Sequence, residues 1–335
     1  MAISKTRGFM PVLAALIGNA LVTVFKTIVA LSSGSSSMFS EAIHSFADTA
    51  NQALLLIGVT RSRRKPTTEF GYGFGNERFF WALISACGIF FVGAGVTMYH
   101  GIEAIRHPEP ISIGVSTFAV LIAAFVIEAL TLWVALRSLA NHYPKKSWAQ
   151  RIELADPSTL AVCLEDSVAV IGVVIAAISI SVSYMTGNPV WDAIGSIIIA
   201  TLLGLVAVTL IAKNRSYLIG RSIPDDDKEA IMDVLRAEPA IERVIDFKST
   251  VLDIGVYRVK FEVEFNGAAL MNEAYQQESL LSEFDNISND YEAFKRFCVW
   301  YADRIPRMMG KKIDEIESRV RDACPEARYI DIEIN

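Results

Sequence analysis

Histidine and cysteine are scarce in this chain. Its 335 residues include only four of each. The cysteines, Cys87, Cys163, Cys298 and Cys324, form no CxxC pair and no disulfide-like spacing. This pattern argues against a disulfide scaffold and predicts reduced thiols, used mostly for packing, in a reducing compartment. All four histidines precede residue 143, so zinc sites built from imidazole are not expected in the rest of the chain.

Positive charge is in deficit beyond residue 220. Residues 1–220 hold 15 Lys and Arg against 12 Asp and Glu, a balance of +3. Residues 221–335 hold 16 against 25, a balance of −9, and the two sum to the net charge of −6. The acidic second part argues against nucleic acid as a partner. The basic first part suits a membrane with anionic lipids.

Long apolar runs are confined to the first 220 residues of a chain that is 52% hydrophobic, with a mean hydropathy of +0.37. Each run is long enough to cross a hydrocarbon core about 30 Å thick as a helix. The runs lie near 9–32, 37–60, 79–104, 111–138, 157–184 and 188–212. They predict an all-α transmembrane domain of six helices over residues 1–220, with the lipid membrane as a partner.

The connections between the runs differ in charge. Lys and Arg cluster in RSRRKP at 61–66, near 145–151 and after the last run, whereas SSGSSS and TGNPV hold none. By the positive-inside rule both termini are expected in the cytoplasm. The opening MAISKTRG lacks a cleavage site, and no transit peptide is evident. We therefore expect a multi-pass protein of the bacterial inner membrane.

After residue 220 the pattern becomes that of a small soluble α+β domain over 221–335. Residues 225–237 predict an amphipathic helix. RVIDFKSTVLDIG and YRVKFEVEFNG alternate apolar and polar residues, as two paired strands do. Residues 307–323 predict a second helix and ARYIDIEI a last strand. We expect the helices on one face of the sheet, with 268–306 as an inserted helical excursion.

Ionisable residues interrupt the second apolar run. In SEAIHSFAD, His44 and Asp48 are four residues apart, which on a helix places their side chains on one face about 6 Å apart. That spacing suits two ligands of one divalent cation. Glu41, three residues before His44, extends the same stripe toward the helix N-terminus.

Two other runs supply further candidate ligands. In VCLEDSVAV of the fifth run Glu165 and Asp166 are adjacent and Cys163 precedes them, while Glu128 lies midway through the fourth run. A single such residue can be a hydrogen-bonding contact between packed helices. Five acidic groups and one histidine are costlier, because Lys26 is the only cationic partner expected inside the membrane, Arg137 lying at the cytoplasmic end of its run. A bound divalent cation or protonation would neutralise them.

The chemistry of this residue set favours metal transport. Imidazole with carboxylates favours Zn²⁺, with Fe²⁺, Mn²⁺ or Co²⁺ as alternatives. Deprotonated ligands bind a metal and protonated ligands release it, so metal and protons compete for the site. His44 is the natural proton acceptor, since imidazole titrates near neutral pH. We expect the metal to be the transported substrate, and we expect no organic cofactor.

These motifs together resemble those of the cation diffusion facilitator family. FSEAIHSFAD is similar to the family's second-span HxxxD signature, and EDSVAVIGV looks like the fifth-span segment that carries its other HxxxD motif. The sequence looks closest to the zinc transporter nine branch, through SMFSEAIHS, GYGF, HPEP, DPST, TGNP and GRSI. The resemblance covers nearly the whole chain.

The resemblance implies an architecture and a set of ligands. It implies six spans, a cytoplasmic ferredoxin-like domain that holds a homodimer together, and His44, Asp48 and Asp166 as metal ligands. Glu41 has no family counterpart and is a candidate for the proton path or for orienting a ligand. Asn19 looks similar to a polar position of the family, and it equally suits helix packing.

One position departs from the family pattern. The fifth-span histidine of the family falls on Val162, which cannot bind a metal. The fourth ligand is then Glu165, Cys163 or Glu128, in that order of preference, or water. Glu165 points about 100° away from Asp166 around the helix, so we expect its use to need a helix rotation or a long reach.

Several interpretations of the whole chain follow. The leading one is proton-coupled efflux of Zn²⁺ from the cytoplasm by alternating access, so the chain is not an enzyme. Loss of one imidazole leaves Mn²⁺ or Fe²⁺ specificity open. A membrane-anchored scaffold with a degenerate site is the non-transport alternative, and Val162 is its best argument. An intramembrane metalloenzyme lacks support because the chain has no HExxH motif. Asp192, which opens the sixth run, predicts a helix cap rather than a ligand.

Overall fold

The computed structural model describes residues 9–108, 114–142, 144, 146–274, 284–285, 287–288 and 290–335. It divides into two compact units, Met1–Ile219 and Gly220–Asn335. We call them the spanning unit and the tail unit and describe each by itself. The first eight residues of the chain, on which the expected absence of a leader rests, lie outside the described part.

The spanning unit is built from long helices. In chain order they are α1 (Phe9–Ser33), α2 (Ser36–Ser62), α3 (Glu77–Arg106), α4 (Val115–His142), the short α5 (Trp148–Leu154), α6 (Pro157–Thr186) and α7 (Val190–Ile219). The centre of α3, Ile89–Val96, is a π-helix. Residues 111–113 of the predicted fourth run lie outside the described residues.

Four helices of the described chain are long and apolar enough to cross a membrane: α3, α4, α6 and α7. The apolar stretch of α1, Asn19–Ser33, is shorter than these four helices. The helix α2, which carries the polar stripe, is not among the four. The structure therefore supports a multi-pass membrane protein, and the number of six spans stays a prediction.

Small side chains let these helices approach closely. The core of the spanning unit combines alanines from most of the long helices with a few large aliphatic side chains, including Ile180 of α6 and Leu203 of α7. Small residues at helix interfaces allow the backbones to come near each other, which is how helices associate in lipid. This packing holds α2 against α1, α3, α6 and α7 and so positions the polar stripe.

Asp192 caps the start of α2, although it lies at the start of α7. Its carboxylate accepts hydrogen bonds from the backbone N–H of Ser36 at 2.5 Å and from the Ser35 hydroxyl at 3.0 Å. Ser37 N–H lies 3.3 Å from both carboxylate oxygens. The carboxylate thus satisfies the free N–H groups at the start of α2 and ties α7 to that helix.

The tail unit is a three-stranded sheet with helices. Its elements are α8 (Asp225–Arg236), β1 (Ile241–Asp253), β2 (Val256–Phe265), α9 (Gly267–Ala274), α10 (Tyr291–Ala323) and β3 (Ala327–Ile334). The strand order is β1-β2-β3, with β1 antiparallel and β3 parallel to β2. The two strands predicted to pair do so, and Gly255 adopts φ 70° in their turn, a conformation that favours glycine. The finer ferredoxin-like classification stays a prediction.

The last helix is longer than the sequence pattern predicts. We expected it to span residues 307–323, and a proline such as Pro306 usually ends a helix. Instead α10 begins at Tyr291, capped by the Asp290 side chain on the N–H of Glu292, and passes through Pro306. Residues 291–306 of the predicted excursion at 268–306 therefore belong to this helix. Residues 275–283, 286 and 289 of that excursion lie outside the described part.

Candidate metal centre

A cavity of about 930 Å³ lies among the helices of the spanning unit. Side chains of α1, α2, α3, α4 and α6 line it. Four of the lining residues are acidic: Asp48, Glu128, Glu165 and Asp166. Asn19 also lines the cavity, as does Val162, which occupies the position of the family's histidine. The cavity thus gathers carboxylates from three different helices.

His44 and Asp48 contact each other at the edge of this cavity. Nε2 of His44 lies 3.5 Å from Oδ2 of Asp48. Asp48 lines the cavity, whereas His44 is buried behind it with 1% of its surface exposed. Both ring nitrogens of His44 and Oδ1 of Asp48 lack a hydrogen-bond partner among the described residues. Buried polar atoms are usually satisfied, so these orphaned atoms indicate a pair kept for chemistry rather than for packing.

Glu165 and Asp166 both face the cavity from α6. The side-chain amide of Asn51 on α2 donates a hydrogen bond to Oε2 of Glu165, and the hydroxyl of Ser85 on α3 donates to Oδ1 of Asn51 at 2.6 Å. These two hydrogen bonds fix the orientation of the Asn51 amide and of the Glu165 carboxylate. Both residues line the cavity, and the expectation that Glu165 needs a helix rotation or a long reach to share a metal with Asp166 stays a prediction.

The remaining carboxylates of the predicted set share a cation. Nζ of Lys26 on α1 lies 2.9 Å from Oε2 of Glu41 and 2.6 Å from Oε1 of Glu128. Lys26 and Glu41 have no exposed surface. Glu128 thus lines the cavity with one oxygen already paired, and Glu41 lies outside the cavity lining.

Cys163 does not join the other candidates. It is buried in an apolar cluster with Leu139, Leu160 and Leu210 and does not line the cavity. The helical period explains its separation from Glu165, because two residues turn a helix by about 200°. The prediction of Cys163 as a possible fourth ligand is therefore not supported by its position.

The acidic residues surround the cavity instead of meeting at one point. Within the described residues, no group of three or more His, Cys, Asp or Glu side chains is close enough to hold one metal ion together. What the arrangement can do chemically is attract a cation into an apolar surrounding and offer it oxygen ligands from α2, α4 and α6. Divalent cations are bound by such carboxylate and amide oxygens.

Sequence reasoning missed two amide side chains of α2 that line the cavity. Asn51 and Gln52 follow Asp48 by three and four residues, so they continue its face of α2, and both line the cavity. Oε1 of Gln52 is buried without a hydrogen-bond partner among the described residues. The helical spacing from Asp48 was a signal that could have identified both.

Membrane-length helices around an acidic cavity define a class of protein, one that spans a membrane and carries cation-binding groups within it. Residues 12–219 match the cation efflux transmembrane domain, so the chain belongs to the cation efflux family. This confirms the family predicted from the motifs. It also assigns the chain to a group of transporters rather than enzymes.

Several relatives resemble nearly the whole chain. A human protein named proton-coupled zinc antiporter SLC30A9, mitochondrial, is 36% identical over 96% of this chain and 58% of its own length. Its Xenopus laevis counterpart is 36% identical over 99% and 61%. The Arabidopsis thaliana metal tolerance protein C4 is 35% identical over 94% and 71%. The chain thus spans about three fifths of the length of the animal proteins.

These relatives overturn one prediction. We expected a bacterial inner membrane, because no transit peptide was evident. The relatives named here are eukaryotic, and the names of the animal proteins assign them to mitochondria. The prediction of a bacterial location is therefore wrong. The physical reason is that a location signal is separate from the transport machinery, so its apparent absence carried too little information.

Proposed function

We propose that this chain exchanges a divalent metal cation, with Zn²⁺ as the first candidate, for protons across its membrane. The observation that carries the proposal is the cavity in which Asp48 and Asp166, from two different helices, lie with Glu165 in an apolar surrounding. His44 contacts Asp48 from behind. The names of the animal relatives, which specify zinc and proton coupling, support the same substrate pair.

The coupling would follow from the ligands themselves. A divalent cation and protons both neutralise carboxylates, so each displaces the other from Asp48, Asp166 and Glu165. Like charges repel, and we expect the cation to draw these side chains together as it binds. The unprotonated ring nitrogen of His44 accepts a proton when the metal leaves, because neither nitrogen has a hydrogen-bond partner among the described residues. Exchange by alternating access requires no chemistry beyond this competition.

The lining of the cavity indicates the side from which a cation would enter. Arg63, Arg78 and Ser158 line the same cavity as Asp48. They lie at the end of α2 and at the starts of α3 and α6, beside the basic RSRRKP connection. We propose that the described conformation receives the cation from the side carrying the basic connections. Cations would be released on the opposite side after the helices rearrange.

Flux measurements across a metal panel test this function. We would reconstitute the chain in proteoliposomes and record metal-dependent proton movement with Zn²⁺, Mn²⁺, Fe²⁺, Co²⁺ and Cd²⁺, for the wild type and for Glu165→Ala. The proposal expects Zn²⁺ to exchange fastest and the variant to lose much of that exchange. Absence of flux with every ion would contradict it and favour the scaffold interpretation.

A harder ion is a second candidate, favoured by one observation. The described lining of the cavity contains carboxylates and amides but no imidazole, since His44 lies behind Asp48. Oxygen ligands suit Mn²⁺ and, to a lesser degree, Fe²⁺ better than they suit Zn²⁺. Faster exchange of Mn²⁺ than of Zn²⁺ in the same panel would support this alternative.

We also propose that the tail unit, Gly220–Asn335, holds two copies of the chain together. The support is the family resemblance and the compact fold of this unit. Light scattering of the detergent-solubilised chain would give the mass of the complex. A mass of one chain at all concentrations would contradict the proposal.

A further inference from the structure

Lys26 is a fully buried cation in the middle of α1. Its ammonium lies 2.9 Å from Glu41 of α2 and 2.6 Å from Glu128 of α4, so it joins three helices. Neither Lys26 nor Glu41 has exposed surface, and Glu128 is 13% exposed. A buried ion pair is costly to form, so such a group is weak evidence for stability and calls for another role.

In this cluster two carboxyl groups share one ammonium, so its net charge is −1 when both are ionised. Oε1 of Glu41 and Oε2 of Glu128 have no hydrogen-bond partner among the described residues. Glycine at position 172 of α6 makes room for this arrangement, because a Cβ there would clash with Oε1 of Glu41. The helices therefore fit closely around a group with more acidic than basic side chains.

The cluster lies next to the candidate metal centre. Glu128 lines the same cavity as Asp48 and Asp166. Glu41 precedes His44 by one helical turn and Asp48 by two turns on α2, a rise of about 10 Å. In a medium of low dielectric constant, one unit charge at such a distance changes the binding of a divalent cation strongly. Lys26 can therefore act on the metal centre without touching the metal.

We propose that Lys26 pairs with Glu41 and Glu128 so that neither becomes a metal ligand. Its positive charge also adjusts the net charge of the site so that the site binds and releases one divalent ion. This rests on the proposed function. With Lys26 in place, Asp48, Glu165 and Asp166 face the cation. Without it, the net charge of the ionised Glu41 and Glu128 beside the site changes from −1 to −2, so the site holds a cation more tightly and releases it more slowly.

A charge-balanced set of variants tests the proposal in proteoliposomes with Zn²⁺. The set is the wild type, Lys26→Met, Glu41→Gln and the double variant Lys26→Met/Glu41→Gln. Lys26→Met should lower KM because the cation is bound more tightly, and it should lower kcat because the cation is released more slowly. We expect each to change by about tenfold, the order of magnitude for one unit charge at this distance. Glu41→Gln should raise KM by a similar factor, because Lys26 then has one carboxylate partner. The double variant, which restores the net charge, should return to within about threefold of the wild type.

These readouts separate charge from packing. A role in helix packing alone predicts that the double variant is at least as impaired as Lys26→Met, and that result would overturn the proposal. If Lys26→Met does not fold, Glu41→Gln decides, because it keeps the side-chain shape; an unchanged KM in that variant would also overturn the proposal. A wild type that moves no ion would instead contradict the proposed function, so the two failures are distinguishable.

Discussion

A buried acid of the tail unit and the acids of the membrane cavity differ in how their oxygens are paired. In the tail unit Glu238 is 6% exposed, and both of its oxygens are paired. Arg319 donates a hydrogen bond to Oε2, while the N–H of Ala240 lies 3.2 Å from Oε1 and Lys312 lies 3.8 Å from it. In the spanning unit Asp48 and Glu165 each keep one oxygen without a partner among the described residues.

This difference separates a structural acid from a functional one. A buried carboxylate that stabilises a fold is expected to have all its partners, as Glu238 does. A carboxylate with an unpaired oxygen in an apolar surrounding destabilises the folded protein. Such residues within membrane helices commonly mark ion pathways. Asp48 and Glu165 therefore belong to the second kind, and the predictions below aim at this contrast.

The largest expected effect comes from removing a cavity carboxylate. Asp166→Asn keeps the shape of the side chain but removes its charge. Loss of a residue that only supports a metal ligand reduces activity by up to about 100-fold, so loss of a ligand should reduce zinc-driven proton flux in proteoliposomes by at least that factor. Glu103→Gln is the matched control, since Glu103 is an exposed acid of α3 that pairs with His107. Equal losses in both variants would remove the distinction between cavity and surface acids.

A smaller loss is expected from Asn51→Ala. This change removes the hydrogen bond that orients Glu165 and leaves the carboxylate in place. Groups of this kind typically contribute 10- to 100-fold to metal affinity or activity, so we expect a loss of about 10-fold in the apparent zinc affinity. Transport at several zinc concentrations measures it. Wild-type affinity would mean that the Asn51 contact does not position Glu165 for binding.

The reverse pattern is expected in the tail unit. Glu238→Gln should weaken the contact with Arg319 and destabilise this unit by about 2 kcal/mol, the range for a hydrogen bond to a charged group. Hydrogen exchange of the β2 and β3 amides in the full chain measures this. Zinc exchange per folded molecule should not change. A transport defect without faster amide exchange would show that Glu238 is not simply structural.

The smallest effect is a loss of tail stability at alkaline pH. Burial raises the pKa of the Cys324 thiol to about 11, and burial together with the neighbouring Asp227 raises the pKa of Tyr257. The protonated thiol and the protonated phenol each stabilise the tail unit. This contribution is fully present below the pKa of the group in the unfolded chain and is lost as the pH rises through its pKa in the folded protein. Resistance of the tail to urea and protease should therefore fall between about pH 9 and pH 11. Cys324→Ala should reduce this fall, and an unchanged fall would exclude the thiol as its source.

The sequence allowed much of this contrast to be predicted. The helical spacing of His44 and Asp48 predicted their contact, and strand alternation predicted the β1–β2 hairpin. The charge pattern of the membrane half also pointed to Lys26 as the only cation available to its acids. Those features are local or depend on counting, so a single sequence contains them.

What could not be predicted depends on how helices face one another. The rotation of α6 against α2 and α3 decides that Cys163 packs in an apolar cluster while Glu165 lines the cavity. The bridge from Lys26 to Glu41 and Glu128 joins residues 15 and 102 positions apart, a pairing that no local pattern encodes. The path of α10 through Pro306 likewise contradicts a local rule, because the cap at Asp290 starts the helix earlier.

The central claim is that Asp48 binds the cation that the spanning unit exchanges for protons. The most direct test is zinc-dependent proton flux in proteoliposomes for the wild type and Asp48→Ala, with both proteins shown to be folded and inserted. The account predicts steady exchange by the wild type and none above background by the variant. Exchange at the wild-type rate by Asp48→Ala would contradict it.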